Sequence, residues 1–219
     1  EAYNYDLLAE KTLAACRLPS EGSPRVADPL SEDWALLRPS LLPGLLKNAQ
    51  HNLSRGADAV RLFEIGKTYA RAGAGVTERW RAAGLLLGPV LDARWQPARA
   101  SRAGFHDVKA VVEDLLARAG ALGWARLDEP AAGRTPCAPL FHPTNSLRAL
   151  VDGAPAATVG WLHPRAARAF DLEREGVVLF DADLESLAAR AAPRERCAEF
   201  SALPVSRRDL ALLVDKSVD

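Results

Sequence analysis

The sequence predicts an α+β fold, an antiparallel sheet of about six strands flanked by helices. Three observations carry this. Two strand-forming runs, VRLFEIGKTYAR from Val60 and RAAGLLLGPV from Arg81, read as antiparallel neighbours. Asp152-Gly153 sits between SLRALVDG and ATVGWLHP, a strong hairpin signal even though Pro155 interrupts the start of the second strand. Helical spacing recurs in two places, after Pro43 and after Asp107.

In order, Glu1 to Tyr5 reads as extended, with Tyr3 and Tyr5 on one side. Leu7 to Leu18 suits a short helix, and PSEGSP from Pro19 to Pro24 is loop by composition. Arg25 to Pro29 reads as a short strand. Asp28 to Tyr69 is then a loop, a helix and a strand, and organises the rest. Pro43 fits the first turn of a helix, where its missing N–H would be unpaired anyway. Leu45, Leu46, Ala49 and Leu53 form one apolar stripe, and Gly56 suits the left-handed cap. Val60, Leu62 and Ile65 begin the strand.

After Tyr69, ARAGAGVTERW reads as a flexible connection between strands. The strand from Arg81 is bounded by Gly88-Pro89, and Leu91 to Arg102 reads as loop. Asp107 to Gly120 gives the clearest helix, with Val108, Val111, Val112, Leu115, Leu116 and Ala119 predicted to face the core. Asp107 opposes the helix dipole at its start, and Gly120 stands at its end. Leu122 to Pro139 is a mixed Pro/Ala-rich segment. Phe141-His142-Pro143 opens the Asp152-Gly153 hairpin. VVLFDA, Val177 to Ala182, is a short buried strand, and Leu184 to Ala192 a helix.

Composition excludes several classes. The 219 residues suit one large domain, or one domain with a fragment of another. With 28 basic and 28 acidic residues, bulk charge does not argue for nucleic-acid binding. Cys16, Cys137 and Cys197 are far apart and unpaired in pattern, as reduced intracellular thiols are. No apolar run approaches the ~18 residues of a membrane span, and EAYNYDLL lacks the features of a signal peptide. Methionine is absent, and the chain reads as a piece of a longer polypeptide.

The run LSEDWALLRPSLLPGLL, a helix ending NLSRG, then VRLFEIGKTY, resembles the β subunit of bacterial phenylalanyl-tRNA synthetases, in its degenerate class II synthetase-like core module. EAYNYDLLAEKTLAACRL, FHDVKAVVEDLLARAG and FHPTNSLRALVDGAPAATVGWLHPRAARAF resemble successive segments of the same module. FSALPVSRRDLALLVDKSVD resembles the opening strand of that family's ferredoxin-like anticodon-binding domain. The resemblance therefore implies a class II synthetase-like core over 1–199 and a truncated first strand over 200–219. It also implies a cytoplasmic (αβ)2 heterotetramer with the α subunit, ATP and Mg used by the holoenzyme rather than by this segment, and tRNA bound mainly through other domains.

Catalysis by this segment is not expected. Class II chemistry needs arginines on the phosphates. The strand pair from Val60 to Val90 resembles the family's motif 2 in outline, but its aromatic-Arg-x-Glu signature is missing. Arg61, Lys67 and Arg71 are the basic residues along it, the members of a vestigial pocket. VVLFDADLESLAAR stands where a Gly-rich motif 3 should be. It has no glycine after Val177, and Ser186 follows Glu185 where arginine is needed. Asp181 and Asp183 put negative charge where a triphosphate would lie. The chain is thus read as a non-catalytic structural and subunit-interface module. The alternative is a nucleotide- or amino-acid-binding regulatory domain reusing the class II pocket.

Leu36, Leu37, Arg38, Leu41, Leu42 and Leu45 are the candidate interface residues, because so many leucines beside one helix exceed what a single face buries; burial in the core is the competing reading. No metal site is expected: His142 and His163 each precede a proline, and Cys137 is the one further donor nearby. The sequence holds no G-x-S-x-G, P-loop or G-x-G-x-x-G pattern. Arg207-Arg208-Asp209 reads as a solvated strand edge.

Overall fold

A computed structural model describes residues 1–73, 75–89, 102–127, 137–173, 176–190 and 208–217. Its centre is a six-stranded antiparallel sheet in the order β3-β4-β8-β7-β6-β5. The strands are β3 (Val60–Ala72), β4 (Gly75–Leu87), β5 (Leu122–Arg126), β6 (Phe141–Val151), β7 (Ala154–Leu162) and β8 (Val178–Asp183). A separate two-stranded ribbon joins β1 (Leu7–Leu8) to β2 (Leu36–Leu37). The helices are α1 (Glu10–Ala15), α2 (Leu42–Ser54), α3 (Phe105–Leu116), α4 (Pro164–Ala169) and α5 (Leu184–Ala188). The α+β expectation holds, and so does the β3–β4 pairing.

The sheet divides two apolar layers. Period-two alternation sends Val60 and Leu62 of β3, and Ala83, Leu85 and Leu87 of β4, toward α1, α2 and α4, where they join Leu13, Leu41, Leu45, Phe141 and Leu179 in one buried cluster. The opposite face of β4, β7 and β8 packs Ala82, Val159, Val178 and Phe180 against Val108, Val112 and Leu116 of α3. Pro43 lies in the first turn of α2, and Gly56 takes φ +86° just beyond its end. Asp152 (φ 50°) and Gly153 (φ 78°) form the two-residue turn of the β6–β7 hairpin. Pro155 lies within β7 beside a register shift, which accommodates its missing N–H.

Several expectations need correction. The segment ARAGAGVTERW is not a loose connection: β3 and β4 stay paired as far as Ala72 and Gly75, well past the last β4–β8 partners, Arg81 and Asp183. The hairpin thus projects as an arm whose outer residues are exposed on both faces. They have no burial alternation to read. Leu122–Arg126 pairs with β6 as an edge strand, not as part of a mixed segment. Arg25 makes one isolated bridge to Leu36 rather than a strand. Leu7–Leu8 is a strand, and the helix is confined to Glu10–Ala15. Val111 and Leu115 are exposed, so the buried stripe of α3 is narrower than expected. Residues 208–217 contain no strand and are exposed, while 91–101, 128–136, Cys197 and 200–207 lie outside the described residues.

Candidate functional site

The stretches read as motif 2 and motif 3 do come together. β4 and β8 are adjacent, with Arg81 opposite Asp183 and Ala83 opposite Asp181. What meets there is a closed ion pair. The Arg81 guanidinium donates from Nε to Asp181 Oδ1 at 3.0 Å and from Nη2 to Oδ2. Asp181 is fully buried and Arg81 is 6 % exposed. Burial works against the charge on Arg81, but Asp181 beside it more than restores it and holds its pKa above the usual value. Cys137 is buried against this pair. Burial first, then the Asp181 charge, pushes its thiol well above the ordinary range.

The remaining carboxylates of this region have structural partners. Asp183 caps α5 by accepting from Ser186 N at 3.1 Å. Glu185 accepts from Trp80 N at 3.0 Å, at a point where β4 has run past the end of β8. At the outer end of β3 the chain reads Tyr69-Ala70-Arg71-Ala72, an aromatic without the arginine and glutamate. The Arg81 charge is already paired with a buried carboxylate and does not face solvent.

Arg61, Lys67 and Arg71 do not converge. The register places Gly66 opposite Arg81 and Lys67 opposite Trp80, so all three basic residues lie on the face away from the Arg81–Asp181 pair. They run along one strand, with the outer two about 33 Å apart by strand rise. Arg61 donates to Pro89 O at 2.7 Å, and Lys67 pairs with Glu78 at 2.6 Å. A single pocket formed by these three side chains is therefore ruled out by the strand geometry.

The interface residues named from sequence are also mostly internal. Leu36, Leu41, Leu42 and Leu45 are buried in this chain's own core, and Leu37 is half-buried. The surplus of leucines around α2 is used because that helix is enclosed by α1, α4 and the sheet together, and not by one face alone. Arg38 is the partner of Glu64. Its guanidinium reaches Glu64 Oε1 at 2.6 Å, Asp6 Oδ1 at 2.7 Å and Lys67 O at 2.9 Å. Asn4 donates to Glu64 Oε2 at 2.7 Å and accepts from Asn48 at 3.0 Å. This network ties the N-terminal segment and α2 to β3.

Arg81 and Glu64 were not singled out from sequence. Glu64 had a signal: it shares the inward alternation of Val60 and Leu62, and a buried carboxylate requires a cation. Arg81 had none, because its partner is 100 positions away. His142 and His163 serve as turn and cap acceptors. Nδ1 of His142 accepts from Thr144 N and Asn145 N, and Nδ1 of His163 from Arg165 N at 3.1 Å. Among the described residues no three His, Cys, Asp or Glu side chains gather as metal ligands, and no helix is long and apolar enough to cross a membrane.

Residues 1–184 match the family model described as "Phenylalanyl tRNA synthetase beta chain CLM domain". Over its whole length the chain is 37% identical to a phenylalanine-tRNA ligase beta subunit of Xanthomonas campestris, and it is equally identical to one of Nitrosospira multiformis. It spans about a quarter (26%) of each of these two relatives. A Pseudomonas syringae relative with the same description is 38% identical over 88% of the chain, which spans 23% of that protein. In fold, the chain is similar to a pyrrolysyl tRNA synthetase of Desulfitobacterium hafniense, with a TM-score of 0.58 at 16% identity, covering 85% of this chain and 58% of that one. The architecture is thus the class II synthetase-like one expected, and the chain belongs to the phenylalanyl-tRNA synthetase β-chain core-domain family.

Proposed function

We propose that this chain is a non-catalytic structural and subunit-interface module of a phenylalanine-tRNA ligase β subunit. It supports an α subunit that attaches phenylalanine to tRNA(Phe) with ATP and Mg, in a cytoplasmic (αβ)2 assembly whose tRNA contacts lie mainly on other domains. The carrying observation is the Arg81–Asp181 pair. The cation and the carboxylate that meet between the motif 2-like and motif 3-like strands neutralise each other in the interior. A catalytic site would need that cation facing substrate.

The test is calorimetric titration of the chain with ATP and Mg, together with co-purification of the full β subunit with its α subunit. The expected result is no binding heat and a stable α-containing complex. Saturable heat that disappears in Arg61→Ala or Lys67→Ala would overturn the reading in favour of a regulatory nucleotide-binding domain.

A further inference from the structure

Arg17, His142, His163 and Arg165 gather where three elements meet, outside both apolar layers. Arg17 follows α1, His142 lies at the start of β6, and His163 and Arg165 stand at the start of α4. Arg17 Nη1 donates to Pro139 O at 3.1 Å, and His163 N donates to Leu140 O at 2.7 Å. Both bonds draw their elements to the strip from Pro139 to His142. Arg17 and Arg165 are exposed, and the two rings are half-buried.

The backbone fixes the tautomer of both rings. Nδ1 of His142 accepts from Thr144 N and Asn145 N, each at 3.3 Å, and Nδ1 of His163 accepts from Arg165 N at 3.1 Å. A peptide N–H only donates, so each neutral ring carries its proton on Nε2. Neither Nε2 has a partner among the described residues. A metal ion would need the lone pair of that nitrogen, and the proton would then sit on Nδ1 against a peptide N–H. The rings therefore offer donors, as the guanidiniums do. Arg17 spends one N–H on Pro139, and the Arg165 side chain bonds to none of the described residues.

Among the described residues no carboxylate pairs with any of the four. Beside burial, the charges that lower the pKa of His163 are all positive, those of Arg17, His142 and Arg165. The nearest acids along the chain are engaged elsewhere: Asp171 with Gln50 at 2.9 Å, Glu173 with Arg168 at 3.6 Å, and Glu10 with Arg25 at 3.0 Å.

Two irregularities of the backbone maintain the cluster. Leu18 N bonds Leu13 O and Arg17 N bonds Ala14 O, both at 2.9 Å, which closes α1 with Arg17 in the left-handed conformation at φ 59°. Glycine is the usual residue there and fits without strain, so closing the helix does not call for an arginine. In β6, Phe141 faces Leu162 but Ser146, five positions on, faces Gly160, only two positions back. The surplus is a bulge that begins at His142, and bulges of this kind re-aim a side chain.

We propose that Arg17, His142, His163 and Arg165 form a recognition site for a terminal phosphate group, carried by a small phosphorylated molecule or by the end of an RNA chain. Such a group bears about two negative charges at neutral pH, which the two arginines balance. Its free oxygens only accept, and here the donors arrive from three elements. A carboxylate would balance one arginine alone. The assignment is independent of the subunit-interface reading.

The test uses the full-length β subunit, titrated calorimetrically with inorganic phosphate, and by fluorescence anisotropy with one RNA oligonucleotide bearing either a 5′-phosphate or a 5′-hydroxyl. Arg17→Gly and Arg165→Ala are each expected to weaken phosphate binding about tenfold or more. Arg168→Ala, at the other end of α4, should leave it unchanged. Arg17→Gly should melt no lower than wild type, which separates lost binding from lost structure. An RNA that gains affinity from its 5′-phosphate, with the gain abolished in Arg165→Ala, identifies an RNA end as the source. No such gain, with phosphate still bound, identifies a small phosphorylated molecule. Absence of saturable phosphate binding up to about 10 mM overturns the proposal. So does equal binding by wild type and both site variants, or an equal loss in Arg168→Ala. If Arg17→Gly melts lower, Arg165→Ala decides, and unchanged binding in that variant overturns the site.

Discussion

Arg81 on β4 and Asp181 on β8 are joined by two hydrogen bonds through one guanidinium–carboxylate fork, with the carboxylate out of contact with solvent. Such a pair is costly to break from one side. Arg81→Leu or Asp181→Leu alone is expected to destabilise the chain by about 3–5 kcal/mol, because a buried charge is left without its partner. The double variant replaces both charges with apolar groups and is expected to recover most of that loss. Urea denaturation of the four proteins completes the cycle. If the double variant is as unstable as the singles added together, the pair is not an isolated unit.

Arg38 and Glu64 form a second internal pair, with Asp6 and Asn4 attached. Arg38→Met is expected to cost about 3–5 kcal/mol, since Glu64 is left in the core without its partner. Glu64→Gln keeps the shape and part of the hydrogen bonding, so it should cost clearly less. Denaturation midpoints rank the two. The reverse order would show that Arg38 acts mainly through Asp6 and the Lys67 carbonyl.

Gly44 lies inside α2, where alanine would ordinarily add about 1 kcal/mol of helix propensity. Here a Cβ would meet Asn4 Cγ at 2.9 Å. Asn4 cannot simply turn away, because it bonds both Glu64 and Asn48, and each such bond contributes about 1 kcal/mol. Gly44→Ala is therefore expected to destabilise the chain. In an Asn4→Ala background the same substitution should become neutral or stabilising, as thermal melts of the pair would show.

His163 caps α4 with an unprotonated Nδ1. Burial, then the positive field of Arg17, His142 and Arg165, holds its pKa below the ordinary 6.5. A base with a depressed folded-state pKa binds its proton more weakly when folded. Its contribution is complete above about 6.5 and is lost as pH falls through the lower folded value. Wild-type melting temperature is expected to drop more steeply from pH 7 to pH 5 than that of His163→Asn, which caps without titrating. Parallel curves would assign the acid sensitivity to other groups.

Cys16 and Cys137 are buried, and burial raises both thiols, that of Cys16 to about 12. Thiolate is the reactive form, so neither should be alkylated by iodoacetamide at pH 8 while the chain is folded. Mass mapping after a brief exposure checks this, and labelling of Cys137 under native conditions would show that the layer around the Arg81–Asp181 pair opens.

Local chemistry announced most of the frame. Pro43 and Gly56 bracket α2, Asp152-Gly153 turns β6 into β7, and the alternation from Val60 marks β3, because each signal depends on residues within a few positions of one another. The same residues carried the family resemblance. The outer β3–β4 arm and β5 escaped notice because neither has the alternating burial that periodicity reads.

Only the folded chain decided what the polar and apolar surplus is for. Arg81 finds Asp181 through a strand register set 100 positions away, and Arg38 finds Glu64 because α2 lays its N-terminal approach across β3. The α2 leucines proved internal for the same reason. Their number exceeds one helix face, but two other helices and a sheet close around them. Periodicity measures which residues share a side of one element. How many other elements cover that side is a property of their packing, and with it the choice between core and partner surface.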